Sequence, residues 1–255
     1  MFGFGKRKQF AKPTVKSVSL SACGPNREHN EDCCHASDFQ LTYCVADGIG
    51  GGCEGEKASQ IVCREIRMMM NVVAGDYDAR VAAAERSLVD ANAVINDYAA
   101  RRGYRQMGST VAMLVLDPED GSRAAVIHAG DSRIYRIRGG LATALTRDHS
   151  IGFELSDFAG ERAENFRSRD NPLTHVLTRA VGTKPEVEWD RREIDVRSGD
   201  RFVLCTDGVH DVISAARLAI FAGGGTLESA RTRLAAEIEK AGAPDNYTFV
   251  LVDIR

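Results

Sequence analysis

The chain has 255 residues, 44% of them hydrophobic, and a formal net charge of −3. That length and apolar share can bury a substantial core in one domain without disulfides, and a charge this small points to neither a nucleic acid nor a membrane surface as partner. No window approaches the ~18 consecutive apolar residues of a membrane span, so a soluble, cytoplasmic monomer is expected.

Residues 1–12, MFGFGKRKQFAK, read as a basic, disordered tail without the apolar stretch of a secretory leader, and 13–255 as a single domain. Val15 to Ala22 alternates as a strand, and Phe39 to Ala46 is a second strand running into Asp47 and a glycine cluster. Glu56 to Ala74 follows as an amphipathic helix with Ala58, Ile61, Val62, Ile66, Met69, Met70 and Val73 on one face. A second helix opens at Asp78 as N-cap and stops at Gly103, its apolar stripe suited to burial against a sheet. Thr110 to Leu116, Ala124 to Ala129, Arg133 to Ile137 and Leu141 to Leu145 read as a four-strand meander. The polar, aperiodic stretch 148–171 reads as an inserted surface loop. Arg201 to Cys205 and Thr248 to Ile254 are further strands, with Leu227 to Ala241 helical between them. Two adjacent helices early, one late and no regular strand–helix alternation argue for an α+β fold, with helices covering antiparallel sheets.

Seven cysteines are spread through mostly apolar segments without a Cys-x-x-Cys pair. They are expected as reduced thiols rather than a zinc or disulfide framework. No cysteine is followed six positions later by arginine, so the loop of the cysteine-nucleophile phosphatases is absent.

Five turns share one grammar, a carboxylate beside glycine or asparagine at the end of an apolar strand. They are Asn30-Glu31-Asp32, Asp47-Gly48, Gly130-Asp131, Asp207-Gly208 and Asp245-Asn246. One Asp-Gly after a strand is usually only a turn. If the strands lie side by side, the carboxylates converge, and their mutual repulsion calls for cations. All-oxygen ligand sets suit magnesium or manganese. Two such ions about 4 Å apart can bridge and activate a water for in-line attack on a phosphoryl group. Arg27, four residues before Glu31, offers the fork that grips phosphate oxygens.

The segments GPNREHNED, VADGIGGGCEGEKAS, GST, HAGDSRIYR, LTRDHS, LTRAVG, FVLCTDG and DNYTFVLV occur in that order from Gly24 to near the C-terminus. In this ordered series the chain resembles the metal-dependent Ser/Thr phosphatases of the protein phosphatase 2C type, in compact bacterial form. The resemblance implies a four-layer α-β-β-α sandwich and hydrolysis of phosphoserine and phosphothreonine by a water bridging two Mn2+ or Mg2+ ions. It implies that Asp47 bridges the ions, that Glu31 and the Gly48 carbonyl complete one shell, and that Asp207 and Asp245 hold the other. Asp32 would sit beside them, Asp131 with Asp207 would hold a third ion, and Arg27 would bind the substrate phosphate. Gly51, Gly52, Thr110 and Asn246 would be scaffolding of the site, and 148–171 the family's variable flap. There Arg162, Arg167 and Arg169 lie among Glu154, Asp157, Glu161 and Glu164, which reads as a solvated mixed-charge loop, with contact to acidic or phosphorylated substrates as the alternative. Ile49 stands where many eukaryotic members carry a histidine general acid, which leaves an ion-activated water, His210 or His149 as proton donor. A phosphorylated Ser/Thr kinase and its targets are the implied partners, with a secretion-associated kinase as one setting.

Rival readings are weaker. Residues 50–55 satisfy the dinucleotide pattern GxGxxG, but a second helix follows where a parallel strand is required. Glu56 replaces the lysine of a phosphate-binding loop. A catalytically dead phosphoprotein adaptor would be expected to lack one of Asp47, Asp207 or Asp245; all are present. A small-molecule phosphatase using the same site is the remaining alternative.

Overall fold

The computed structural model describes residues 14–50, 53–119, 121–168 and 170–255; the predicted tail, Gly51, Gly52 and Arg169 lie outside them. One antiparallel sheet has the order β1 (Val15–Ala22), β11 (Tyr247–Ile254), β10 (Arg201–Cys205), β7 (Arg133–Arg138) and β8 (Leu141–Ala144). The other runs β2 (Asp32–Ser37), β3 (Thr42–Ile49), β5 (Val111–Leu116), β6 (Arg123–Ala129) and β9 (Asp190–Asp195), with the short β4 (Gly108–Ser109) also paired to β3.

The strands β5, β10 and β11 are buried along their whole length because both of their faces are covered. In β5, Val111, Met113 and Val115 face helices α1 (Cys53–Val72) and α2 (Tyr77–Arg102), while Ala112, Leu114 and Leu116 face the other sheet. In β10, Phe202 and Leu204 point between the sheets, and Val203 and Cys205 pack under α6 (Ala215–Phe221) and α7 (Leu227–Lys240). Three apolar layers alternate with four layers of secondary structure, which is the expected α-β-β-α sandwich. Each fully buried aliphatic side chain contributes roughly 1.5–3 kcal/mol.

The structure departs from the sequence reading in four places. The N-cap of α2 is Asp76, whose carboxylate accepts from Ala79 N at 3.0 Å; Asp78 lies in the first turn, where its charge suits the helix dipole. The four-strand meander does not form. The free edge of β6 is taken by β9, so after Gly130, at φ +104°, the chain crosses to the other sheet and β7 pairs with β10 and β8. The outer strands β2 (DCCHAS) and β9 (DRREID) carry too little apolar alternation to be read as strands. Finally, 148–171 is not a plain loop: it contains α3 (Ile151–Ser156) and α4 (Ala163–Arg167), and it begins at buried Asp148 and His149.

Candidate metal and phosphate site

The acidic turns come together at one end of the two sheets. In β3 the buried run Tyr43–Ala46 leads into Asp47 and Gly48, and Asp47 lies opposite Asp32 of β2. The Asp47 N–H donates to Thr110 Oγ1 at 2.9 Å, and the Thr110 N–H returns a bond to the Asp47 carbonyl at 2.8 Å. Thr110 Oγ1 also meets Ser132 Oγ at 2.6 Å, which ties the Asp47 turn to the turn carrying Asp131. From the other sheet come Asp207, opening the one-turn helix α5 (Asp207–His210), and Asp245, just before β11. Asn246 stitches these ends to the N-terminal turn: its Oδ1 accepts from Glu31 N at 2.9 Å, and its Nδ2 donates to the His29 carbonyl at 2.9 Å. Thr110 and Asn246 thus hold the backbone of the site together.

Two glycines make room for this arrangement. A Cβ on Gly55 would lie 1.8 Å from Glu31 Oε2 and 2.9 Å from the Gly48 carbonyl oxygen, so two expected ion ligands meet over the bare backbone of α1. A Cβ on Gly208 would collide with the Asn246 carbonyl at 1.9 Å.

The electrostatics are those of crowded, like-charged groups. Burial, then the charges of Asp207, Asp32 and Asp131, holds the Asp47 carboxyl well above the usual carboxylate range. Burial and the neighbouring Asp207 and Asp148 do the same to Asp131. Burial also raises Asp207, with Asp245 and Asp211 adding to the effect, and Asp47 and Asp207 hydrogen-bond each other. Asp32 is pushed up to about 7, chiefly by burial. Its Oδ2 accepts from Thr206 Oγ1 at 2.8 Å, while its Oδ1 is buried without a partner. An orphaned carboxylate oxygen, clustered carboxyls and a gap shaped by Gly55 together form an all-oxygen donor set that fits hard divalent cations.

Arg27 lies at the open edge and its Nη2 donates to Asp245 Oδ2 at 2.5 Å. The expected phosphate grip and an expected ion ligand are therefore paired with each other here. Asp245 remains part of the acidic field, since its charge raises both Asp32 and Asp207.

Of the proposed proton donors, His210 enters the site: Nε2 faces the Asp131 carbonyl at 3.1 Å and Nδ1 is 3.3 Å from Asp211 Oδ1. His149 is buried against His128, the rings stacked at 4.5 Å, and accepts from Gly130 N at Nδ1. It holds the Asp131 turn and does not face the cleft. Arg167 is tied to Ser156 Oγ at 2.9 Å, while Arg162 is exposed.

The sequence reading missed three residues. Asp211 and His175 bring ligand atoms within 4.8 Å of Asp207 and of each other. Asp211 is four residues after Asp207, a same-face helical spacing that could have been noticed; His175, after 148–171, leaves no such trace. Gly55 falls within the segment VADGIGGGCEGEKAS, where nothing in the sequence marks it as the space occupied by Glu31.

A sequence profile of the family described as Protein phosphatase 2C matches residues 24–239. Serine/threonine protein phosphatase PstP of Mycobacterium tuberculosis is 31% identical over 241 residues, 94% of this chain and 45% of PstP, so the chain spans about half the length of that relative. The solved structure of "PppA, a key regulatory component of T6SS in Pseudomonas aeruginosa" superposes with a TM-score of 0.84 at 31% identity, covering 94% of this chain and 98% of PppA. The catalytic domain of PstP, solved "in complex with 2 Manganese ions", gives a TM-score of 0.81 at 28% identity over 95% of this chain and 99% of that one. The sandwich fold, the ordered motifs and the profile agree over most of the sequence, and the chain belongs to the protein phosphatase 2C family.

Proposed function

We propose that this chain is a metal-dependent protein phosphatase that hydrolyses phosphoserine and phosphothreonine in other proteins. The observation that carries the reading is the convergence of Asp32, Asp131 and Asp207 around Asp47, whose carboxyl all three charges raise, with Asp47 lying directly opposite Asp32 across β2 and β3. Glu31, the Gly48 carbonyl and Asp245 complete the ligand set. Bound Mn2+ or Mg2+ supplies a Lewis acid for the phosphoryl oxygens and an activated water. The protein's own part is to keep the carboxylates oriented through Thr110, Thr206 and Asn246, and to hold the phosphate with Arg27. Phosphate competes with Asp245 for that guanidinium, so Arg27 changes partner when substrate and cation arrive. His210, with Nε2 on the Asp131 carbonyl, holds the turn that carries Asp131.

The similarity to PppA and to the catalytic domain of PstP, over nearly the whole of each chain, supports a phosphoprotein substrate, with a Ser/Thr kinase and its targets as partners. No helix among the described residues is long and apolar enough to cross a membrane, and the described cysteines are unpaired, the state a reducing cytoplasm maintains. We take the working form to be a monomer.

Manganese-dependent hydrolysis of a phosphothreonine peptide and of p-nitrophenyl phosphate tests the reading. Turnover on both is expected; absent turnover makes the chain an adaptor, metal-independent turnover removes the ions from the chemistry, and turnover confined to metabolite phosphates makes it a small-molecule phosphatase. Arg27→Ala is expected to raise KM for the phosphopeptide more than it lowers kcat.

A further inference from the structure

A groove of about 790 Å³ is lined by Ile49, the residue after Asp47-Gly48, together with Arg105, Met107, His175, Leu177 and Lys184. Two of its lining residues adjoin the carboxylate cluster: Ile49 follows Gly48 in β3, and His175 brings a ligand atom within 4.8 Å of Asp207. A phosphoryl group needs a small fraction of this space. A volume of this size suits a ligand of several residues.

The groove also differs in charge from the cleft beside it. Among the described residues that line it, none is acidic, while Arg105 and Lys184 are both exposed along it. Lys184 Nζ is pinned to the wall by donating to the Thr178 carbonyl at 3.1 Å. In a chain of net charge −3, this is a cationic, partly apolar trough feeding an anionic site. We infer that it receives the polypeptide flanking the phosphorylated residue, and that Arg105 and Lys184 favour substrates with Asp or Glu in that flank. The inference rests on the phosphatase reading above and adds the sequence class of the substrate. A phosphorylated side chain directed at Asp47 and Asp207 leaves its own backbone at the mouth of this trough. Complementary charges there act on capture of the peptide, with little effect on the chemical step.

The test compares an acidic phosphothreonine peptide, a neutral one and p-nitrophenyl phosphate, each with Mn2+, on the full chain and on Arg105→Glu/Lys184→Glu. The wild type is expected to prefer the acidic peptide, and to lose that preference when salt is raised from about 0.05 M to about 0.5 M. The double variant should lose about tenfold in kcat/KM on the acidic peptide while keeping its rate on the aryl phosphate, which also certifies its fold. Ala100→Trp, placing bulk in the groove without a charge change, should slow both peptides and spare the aryl phosphate. Equal rates on acidic and neutral peptides in wild type, or equal losses on peptide and aryl phosphate in the variants, would overturn the groove assignment. A wild type inactive on the aryl phosphate would instead overturn the phosphatase reading, and the groove assignment with it.

Discussion

Two regions of this protein bury carboxylates, and they treat the charge in opposite ways. At the far end of the first sheet, Asp253 of β11 lies across from Arg201 of β10. The guanidinium forks onto both carboxylate oxygens, and its remaining donors reach the Ala222 and Gly225 carbonyls. Arg133 and Asp148 repeat the arrangement at the border of the acidic cluster, beside Asp131, with contacts of 2.8 and 2.6 Å. In both pairs the protein supplies its own counter-charge. Around Asp47 and Asp207 the carboxyls instead face one another, and an oxygen of Asp32 has no partner. Burying anions without a cation opposes folding, so a region that does it is adapted to something it binds.

The comparison can be broken most forcefully at its acidic side. Asp47→Asn or Asp207→Asn is expected to lower kcat by on the order of 10²–10³, while the melting temperature of the metal-free protein stays level or rises as repulsion is relieved. A variant that retains full Mn2+-dependent turnover would remove these residues from the chemistry. The paired side predicts the reverse. Arg201→Ala strands Asp253 and should cost roughly 3–5 kcal/mol in urea unfolding, with turnover per folded molecule unchanged. Gly55→Ala tests the gap beneath Glu31: its methyl displaces the carboxylate, and Mn2+ affinity should weaken by about 10–100-fold with little loss of fold.

The smallest effect is the dependence on pH. The Asp32 carboxyl is raised in the folded protein to about 7, above the ~3.9 of an unfolded aspartate. Its contribution to stability is therefore complete below about 4 and is lost as pH rises through about 7. Metal-free protein should melt at progressively lower temperature across that window. Mn2+ takes the place of the proton, so it should raise the melting temperature more at pH 7.5 than at pH 5; an equal rise at both would place the ion elsewhere.

The layers of the fold were readable because β5 is apolar throughout, β10 and β11 carry long apolar runs, and α1 and α2 carry clear stripes. Strands β2 and β9 were not, since one is rich in cysteine and the other in charge, and their places depend on neighbours distant in sequence. The meander failed for a related reason: local turn signals say nothing about β9 capturing the edge of β6. Within the site, the acidic turns were legible from their shared grammar and their juxtaposition followed from the fold. The pairing of Arg27 with Asp245, 218 residues away, and the approach of His175 to Asp207 belong to tertiary structure alone.

Crystals soaked in MnCl2 and measured at the manganese absorption edge examine the acidic region without relying on any assay. Anomalous peaks among Asp47, Asp207 and Glu31, with Asp245 released from Arg27, are the expected result. A map without peaks there, and with Asp47 still hydrogen-bonded to Asp207, would contradict the assignment of these carboxylates to divalent ions.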